Sequence, residues 1–519
     1  MPKNINEEKV KKVVIGDNIS DLVSGCQKYQ LFQCLLIFIP VIFVSMSNTN
    51  FVFSAAATEY RCLVPQCETI NSSFPPKWWP SSVEDYKCSR PIFKHNKTCD
   101  PDAVLGTDTC HDWVYKDNNS VVTEFGLACQ ELKVTMIGTI HNLGVLVGMP
   151  IIGLINDRWG RKTGVILNSV CLCIGALKTL TSNYNQYVVI EFFEAALVTG
   201  AYTSCYILLV ELIGTDKRII ASALLGLAIC SGEIILAFIV YNFPYWRHFQ
   251  LIIAFPGLIF LTYVIFLEES MRWLLTNGKT KKAVRLLEKI GNWNQFSIPE
   301  KAMDEKSLAA EKDGGSKEEF HVKLLFRYPA IFKRLIVCAC WWFSVSLVYY
   351  GLIFSSVYLP GNKYTNYALS GFISIFGEFI PLPLLNRIGR KKTFIGSCFI
   401  AGVCNVALAY IPPVYNIPQL IVFLVGKMSM TCCFNTLYVY TSELMPTSAR
   451  GFLMGTCSMV ARIGTVLAPL VLLLGQKYKA LPSLLFGCAS LLTAALAFTT
   501  PETLNRQLPD TIAEAISLA

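Results

Sequence analysis

Seven ionisable side chains fall inside long apolar stretches of this 519-residue chain: Lys178, Glu191, Glu194, Glu233, Glu378, Lys427 and Arg462. A charge surrounded by hydrocarbon is costly and persists only against a partner or a wet cavity, so such residues read as sites that bind ions. The chemistry they offer is recognition rather than bond breaking. The guanidinium of Arg462 presents paired donors to a carboxylate and stays charged. Its place in an apolar run starting near 451 puts it roughly 16 Å into the helix at a rise of about 1.5 Å per residue. The carboxylate of Glu378 favours a positive group. With both in one cavity the simplest charge complement is a zwitterion; paired permanently with each other, they only brace the second half of the chain. Lys427 stands open between ligand contact and helix bracing. Glu191 and Glu194 face Lys178 in sequence and read as a local ion pair, and Glu233 is a candidate for coupling protons or cations.

No G-x-x-x-x-G-K-S/T loop, H-E-x-x-H or other compact ligand cluster occurs. ATP-driven pumping and membrane catalysis therefore lack support, and no catalytic residue, metal or cofactor is assigned. The chain is not read as an enzyme.

The elements that must position these charges are membrane helices. With 53% hydrophobic and 16% charged residues, most of the chain belongs in lipid. Runs of roughly 20 apolar residues, enough to cross the hydrocarbon core, fall near 31–53, 134–156, 164–182, 187–210, 219–241 and 248–267. Six more fall near 335–358, 366–386, 393–411, 418–442, 451–473 and 481–500. The expected fold is an all-α membrane protein of twelve transmembrane helices in two six-helix bundles. Its parts are an N-terminal segment 1–30, a first bundle 31–267 that includes a loop 54–133, a linker 268–332, a second bundle 333–500 and a tail 501–519.

The net charge of +9 is spread over short loops rather than gathered in one domain, so it does not indicate a nucleic-acid partner. Asp157-Arg158-Trp159-Gly160-Arg161-Lys162, Lys217-Arg218, Arg387 with Arg390-Lys391-Lys392, and the N-terminal Lys3, Lys9, Lys11 and Lys12 share one side if spans alternate. The positive-inside rule makes that side cytoplasmic and places both termini there. The first thirty residues are polar and mixed in charge, so the first span itself is expected to start insertion. The loop 54–133 then lies outside. It carries Cys62, Cys67, Cys88, Cys99, Cys110 and Cys129, disulfide candidates whose 15 pairings remain open, and glycosylation sequons at Asn71, Asn96 and Asn118. The other fourteen cysteines lie mostly in spans and read as small packing residues.

The two halves echo each other. Asp157-Arg158-Trp159-Gly160-Arg161-Lys162 recurs as Asn386-Arg387-Ile388-Gly389-Arg390-Lys391 at an offset of 229, and Glu211 to Arg218 recurs as Glu443 to Arg450 at 232. A looser echo relates Glu269-Ser270-Met271-Arg272 to Glu502-Thr503-Leu504-Asn505 at 233. Parallel six-helix repeats with a site near the midplane characterise one large class of secondary transporter. The repeated D-R-x-G-R-K loop resembles the signature of the major facilitator superfamily. The Cys-rich loop, Tyr349-Tyr350-Gly351-Leu352, Tyr438-Val439-Tyr440-Thr441-Ser442-Glu443-Leu444 and Pro501-Glu502-Thr503-Leu504 narrow the resemblance to the organic cation, carnitine and organic anion transporter family.

Several expectations follow from that resemblance. Asp157, Arg158, Arg161, Glu211, Arg387, Arg390, Glu443 and Arg450 become gate residues, whose ion pairs close the inner side and break when it opens; topology determination is the plainer reading of the same charges. The stretch Ala461-Arg462-Ile463-Gly464 is similar to anion and carnitine members, which have Arg there, whereas cation members have Asp. Glu378-Phe379-Ile380-Pro381 resembles the Glu before Pro of cation and carnitine members, one turn nearer the loop motif; counted back from that motif without gaps, the position is Lys in anion members. Glu191 departs from the family's usual Arg. Tyr202, Tyr206, Tyr349 and Tyr350 fall where the family lines its cavity with aromatics, which suit quaternary ammonium groups, and Asn48 falls at a polar contact; Lys427 belongs to a family-like Gly-Lys pair. The function implied is plasma-membrane transport of a small organic ion by alternating access. Carnitine-like or betaine-like zwitterions come first, organic cations or anions stand as alternatives, and a receptor or channel on a carrier scaffold is the alternative of another class. The lipid bilayer is the other partner, and the coupling or exchange ion is open.

Overall fold

The computed structural model describes residues 27–519 except 57, 66, 68–78, 80–86, 94–98, 101–103, 214–217, 296–327, 413, 447–448, 507–508, 510–513, 515 and 517–519. The N-terminal lysines, Asn71, Asn96 and Gly314-Gly315-Ser316 lie outside the described residues.

In hydrocarbon the backbone has no water to bond, so apolar runs fold as helices that satisfy their own N–H and C=O groups. Among the described residues, eleven helical stretches are long and apolar enough to cross a membrane: Lys28–Ser54, Glu131–Trp159, Arg161–Leu180, Tyr184–Ile213, Ile220–Asn242 and Trp246–Phe266 as spans 1 to 6, and Pro329–Tyr358, Lys363–Arg387, Arg390–Tyr410, Asn416–Leu444 and Arg450–Lys477 as spans 7 to 11. A twelfth apolar helix, Leu481–Ala497, is shorter. Span 12 thus ends before the 500 expected from composition, and Thr499 and Thr500 turn off its end through bonds to Leu496 and Ala497 carbonyls. Spans 3 and 6 are not uniform. Short 3₁₀ segments at Cys171–Cys173 and Lys178–Leu180 interrupt span 3, and Phe255–Thr262 is 3₁₀ within span 6.

The sequence echo is also an echo of packing. Span 1 lies along span 5 as 7 lies along 11; span 2 along 4 as 8 along 10; span 3 along 4 as 9 along 10. The halves meet where span 5 runs against span 8 and span 2 against span 11. At the side bearing the Cys-rich loop, the cap side, aromatic rings bridge them. Phe51 of span 1 packs on Phe354 of span 7 at 5.1 Å between centroids, and Phe53 on Tyr367 of span 8 at 4.9 Å. Tyr364 stacks on Phe53 and meets Tyr241 of span 5. The opposite, motif side carries the repeated basic loops.

The cap contains two antiparallel ribbons: β1 (Tyr60–Cys62) pairs with β4 (Trp113–Tyr115), and β2 (Ser89–Phe93) pairs with β3 (Val104–Thr109). Of the 15 pairings the structure selects Cys62–Cys110, Cys67–Cys99 and Cys88–Cys129. Short ribbons with few buried side chains need such staples. The cap docks on span 6, where Trp246 N–H donates to the Asn119 carbonyl at 3.0 Å and the Trp246 indole donates to Glu124 at 2.6 Å. Arg247 pairs with the same carboxylate. Burial pushes the Glu124 carboxyl up, but the Arg247 and Trp246 donors outweigh it and hold it below the ordinary carboxylate range.

On the motif side, helices Met271–Thr276 and Thr280–Asn294 follow span 6. Leu274, Leu286 and Ile290 of this pair bury against Tyr29 and tie the start of span 1 to the linker.

Candidate functional site

A cavity of about 250 Å³ lies between the halves, large enough for a small organic molecule. Spans 1, 2, 4 and 5 contribute Asn48, His141, Tyr202, Tyr206 and Glu233; spans 7, 8, 10 and 11 contribute Tyr349, Tyr350, Glu378, Asn435 and Arg462. Seven of the eight residues expected from sequence to touch substrate therefore line one space. The eighth, Lys427, does not. It is fully buried, with its ammonium 3.9 Å from the centroid of the Tyr349 ring and no hydrogen-bond partner among the described residues. It stands behind the aromatic wall, against Tyr349. Tyr349 itself stacks on Phe434 at 4.7 Å, so its ring is held by a cation on one side and a ring on another.

Arg462 and Glu378 are not partners. Arg462 Nη1 donates to the Tyr350 hydroxyl at 3.4 Å, and Glu378 accepts from the Asn435 amide. Among the described residues no ion pair joins the two, so the permanent brace weighed from sequence is not what the structure holds. Each charge keeps a neutral neighbour and faces the shared space. Asn435 was not singled out by sequence reasoning; an asparagine in an apolar run carries no periodic signal, and only its contact with Glu378 reveals it.

Near the cap side a second network adjoins the cavity through His141. Lys178 Nζ lies 2.8 Å from Glu191 and 2.5 Å from Glu194, while His141 Nδ1 lies 2.7 Å from Glu191 and Ser47 donates to Glu194 at 2.7 Å. This is the Lys178 pairing read from sequence, extended by His141, which sequence reasoning did not include.

The gate residues pair within halves. Arg161 sits 3.3 Å from Glu211 and 3.4 Å from Asp157; in the second half Arg390 sits 3.0 Å from Glu443. Arg161 and Arg390 also donate to the carbonyls of Asn156 and Leu385, five residues earlier in each copy. Arg450 donates to the Met445 carbonyl at 3.3 Å. Arg158 and Arg387 stand at the motif-side ends of spans 2 and 8. The loose third echo has a structural role: Glu269 accepts the backbone N–H groups of Arg161 and Lys162 at 2.9 and 3.1 Å, and Glu502 accepts those of Arg390 and Lys391 at 2.8 and 3.2 Å. Each carboxylate satisfies the open N–H groups at the start of span 3 or 9, where the helix dipole favours negative charge. Gly160 and Gly389 make this approach feasible. Their φ values are +105° and +107°, and a Cβ on either would run into the capping carboxylate.

Two echoing six-helix halves around a polar, aromatic cavity define a secondary carrier of the parallel-repeat class. The chain belongs to the sugar (and other) transporter family of the major facilitator superfamily, which matches residues 82–513. It groups there with organic cation and organic anion transporters. It is 31% identical over 500 residues to the "Organic cation transporter protein" of Drosophila melanogaster, covering 93% of this chain and 91% of that one. It is 30% identical over 502 residues to "Organic anion transporter 3" of Sus scrofa, covering 95% and 92%. In fold it is similar to the proton:xylose symporter XylE bound to 6-bromo-6-deoxy-D-glucose, with a TM-score of 0.63 at 15% identity over 94% of this chain and 98% of that one. It is likewise similar to the inward-open xylose transporter XylE from E. coli, with a TM-score of 0.60 at 15% identity over the same shares. The family is one of membrane transporters, not enzymes.

Proposed function

We propose that this chain carries small organic ions across the plasma membrane by alternating access of its two halves, and that its preferred substrates are zwitterions of the carnitine or betaine type. One observation carries the reading: Arg462 and Glu378 line one cavity, each bonded to a neutral neighbour rather than to the other. A substrate with a carboxylate and a fixed positive group satisfies both. Tyr202, Tyr206 and Tyr350 supply aromatic surface for the cationic end.

In this reading the motif side is cytoplasmic, the cap is extracellular and Asn118, which is exposed, is a glycosylation acceptor. The pairs Arg161–Glu211 and Arg390–Glu443 hold the cytoplasmic ends of each half rigid, so the halves rock as units, while the Phe51, Phe53, Phe354, Tyr364 and Tyr367 rings close the outer end.

A second reading, an organic cation carrier, is favoured by a different observation. Glu233 joins Glu378 at the cavity wall, setting two carboxylates against the single guanidinium of Arg462. The relative named an organic cation transporter protein fits it.

The test is uptake of radiolabelled carnitine, tetraethylammonium and glutarate in cells expressing wild type, Arg462→Ala or Glu378→Gln, compared with mock cells. Carnitine uptake lost in both variants is the expected result. Tetraethylammonium uptake that survives Arg462→Ala, without carnitine uptake, replaces the zwitterion reading with the cation one; glutarate uptake that survives Glu378→Gln, without carnitine uptake, replaces it with the anion one.

A further inference from the structure

The network around Lys178 is built for a charge it does not hold in its simplest form. Its fixed charges are one ammonium, Lys178, against two carboxylates, Glu191 and Glu194, all buried to 1% exposure or less. With a neutral imidazole at His141 the network carries one uncompensated negative charge in a low-dielectric interior, which is costly. A protonated imidazole brings it to zero. The His141 ring sits where a proton can arrive. Its Nδ1 is committed to Glu191 at 2.7 Å, its Nε2 has no hydrogen-bond partner among the described residues, and the residue lines the substrate cavity while itself only 1% exposed.

What covers His141 is also what closes the cap side. Its ring packs on Phe51 at 5.2 Å, and Phe51 packs on Phe354 of the opposite half at 5.1 Å. Parting that contact uncovers the imidazole to cap-side water; restoring it shields the imidazole in the cavity.

We propose that His141 is a proton-carrying residue that couples transport to a proton gradient, with Glu191, Lys178 and Glu194 as the network that holds its charge. A proton from cap-side water adds to the Nε2 lone pair, and it leaves the same nitrogen for motif-side water once the cavity opens that way. One proton crosses per cycle and no electron moves. Imidazole is the side chain whose ordinary titration spans pH 5 to 8.

The groups facing His141 are few. Span 4 brings Glu191, Glu194 and Tyr187, and span 3 brings Lys178, whose ammonium lies over the Tyr187 ring. Span 1 brings Ser47 and Phe51, span 6 the uncharged Gln250, bonded to Asn50 of span 1, and span 7 Phe354. Across the cavity stand Arg462 from span 11, Glu233 from span 5 and Glu378 from span 8. Arg462 opposes protonation and the two carboxylates favour it, so the network on the near side sets the balance.

This inference rests on the carrier reading, and its test separates the two. Full-length protein in liposomes is assayed for carnitine and tetraethylammonium uptake at outer pH of about 5.5 and 7.5, the span over which an imidazole changes charge. In parallel, the five labelled histidines are titrated by nuclear magnetic resonance, with the signal missing in His141→Gln assigned to His141. Expected are acid-stimulated uptake in the wild type, a ratio of the two rates near one in His141→Gln, and a His141 signal that titrates within that range. Glu194→Gln, whose side chain does not line the cavity, removes one negative charge from the network; it keeps counterflow at equal pH and lowers the ratio of uptake at the acid pH to that at the neutral one. A His141 signal that does not titrate, acid stimulation that survives His141→Gln, or a ratio of rates unmoved by Glu194→Gln each overturns the proposal. If neither probe enters in the wild type, the substrate reading falls, and the histidine titration alone decides the proton site.

Discussion

Glu502 accepts the backbone N–H of Arg390 at 2.8 Å, tying the end of the last span to the start of span 9. The same tie in the first half joins Glu269 to Arg161, and each copy adds a lysine bond to the end of the span just before that carboxylate, Lys162 to the Val264 carbonyl and Lys391 to that of Phe498. The geometry depends on glycine at 160 and 389, because both the left-handed φ and the carboxylate leave no room for a Cβ. Gly389→Ala is expected to destabilise the protein by about 1–3 kcal/mol, the usual cost of a strained backbone position. Gly396→Ala, at a site with nothing within 4 Å, is the matched control expected to be near neutral. Thermal unfolding in detergent checks both; equal stability of the two variants removes the glycine argument.

The two capping carboxylates respond oppositely to pH. Burial pushes the Glu269 carboxyl above its ordinary value, whereas Glu502, although burial also pushes it up, is held below by the N–H groups of Arg390, Leu504, Thr503 and Lys391. For Glu269, the folded form binds its proton more tightly than the unfolded chain, so its stability contribution is full at low pH and is lost as pH rises through its folded value. For Glu502 the sign reverses: its contribution is present above the unfolded value and is lost only as pH falls through its folded value. Denaturation of wild type against Glu269→Gln is therefore expected to move in the wild type's favour on acidification from about pH 8 to 5, while the difference from Glu502→Gln stays flat over that range. A parallel response of the two variants contradicts the assignment.

Tyr349 stands between a buried cation and the cavity. Lys427 lies over it at 3.9 Å, and its other neighbours are Phe434 and Tyr350. Tyr349→Phe keeps the ring that covers Lys427 and is expected to hold carnitine KM within about twofold, while Tyr349→Leu removes that cation–π contact, bares the ammonium to the cavity and raises KM roughly 3- to 10-fold. Concentration-dependent uptake measures this. If Phe and Leu behave alike, the ring's cover over Lys427 does not bear on substrate binding.

Much of this arrangement is legible without coordinates. The loop echo at 157 and 386 marks the two Arg–Glu pairs, and the even number of cysteines after span 1 marks the stapled cap. The limits are equally specific. Lys427 reads as a cavity residue because span 10 is apolar around its whole circumference, so no periodicity says which face meets the cavity. His141 joins Glu191 across fifty residues of sequence, and Glu269 reaches its amides across 108, distances at which pattern carries no information about contact. Disulfide pairing is a three-dimensional choice among loops of similar length.

The aromatic closure on the cap side yields the most direct test of alternating access. Phe53 of span 1 stacks on Tyr364 of span 8 with centroids 5.9 Å apart, so this pair spans the two halves where they must part for substrate to enter from the cap side. A Phe53→Cys, Tyr364→Cys double variant treated with a short, reducible bifunctional thiol reagent is expected to lose uptake to near mock levels and to regain it on reduction. The single variants, which share the same background thiols, should keep theirs under the same treatment. Binding of substrate from the motif side should survive the cross-link, because the cavity walls formed by Arg462 and Glu378 lie elsewhere along spans 8 and 11 and are not held apart by it. Uptake that continues with the pair cross-linked means the halves do not separate at these rings. The closure would then have to be sought at another contact between spans 2 and 11 or 5 and 8, the other two lines along which the halves touch.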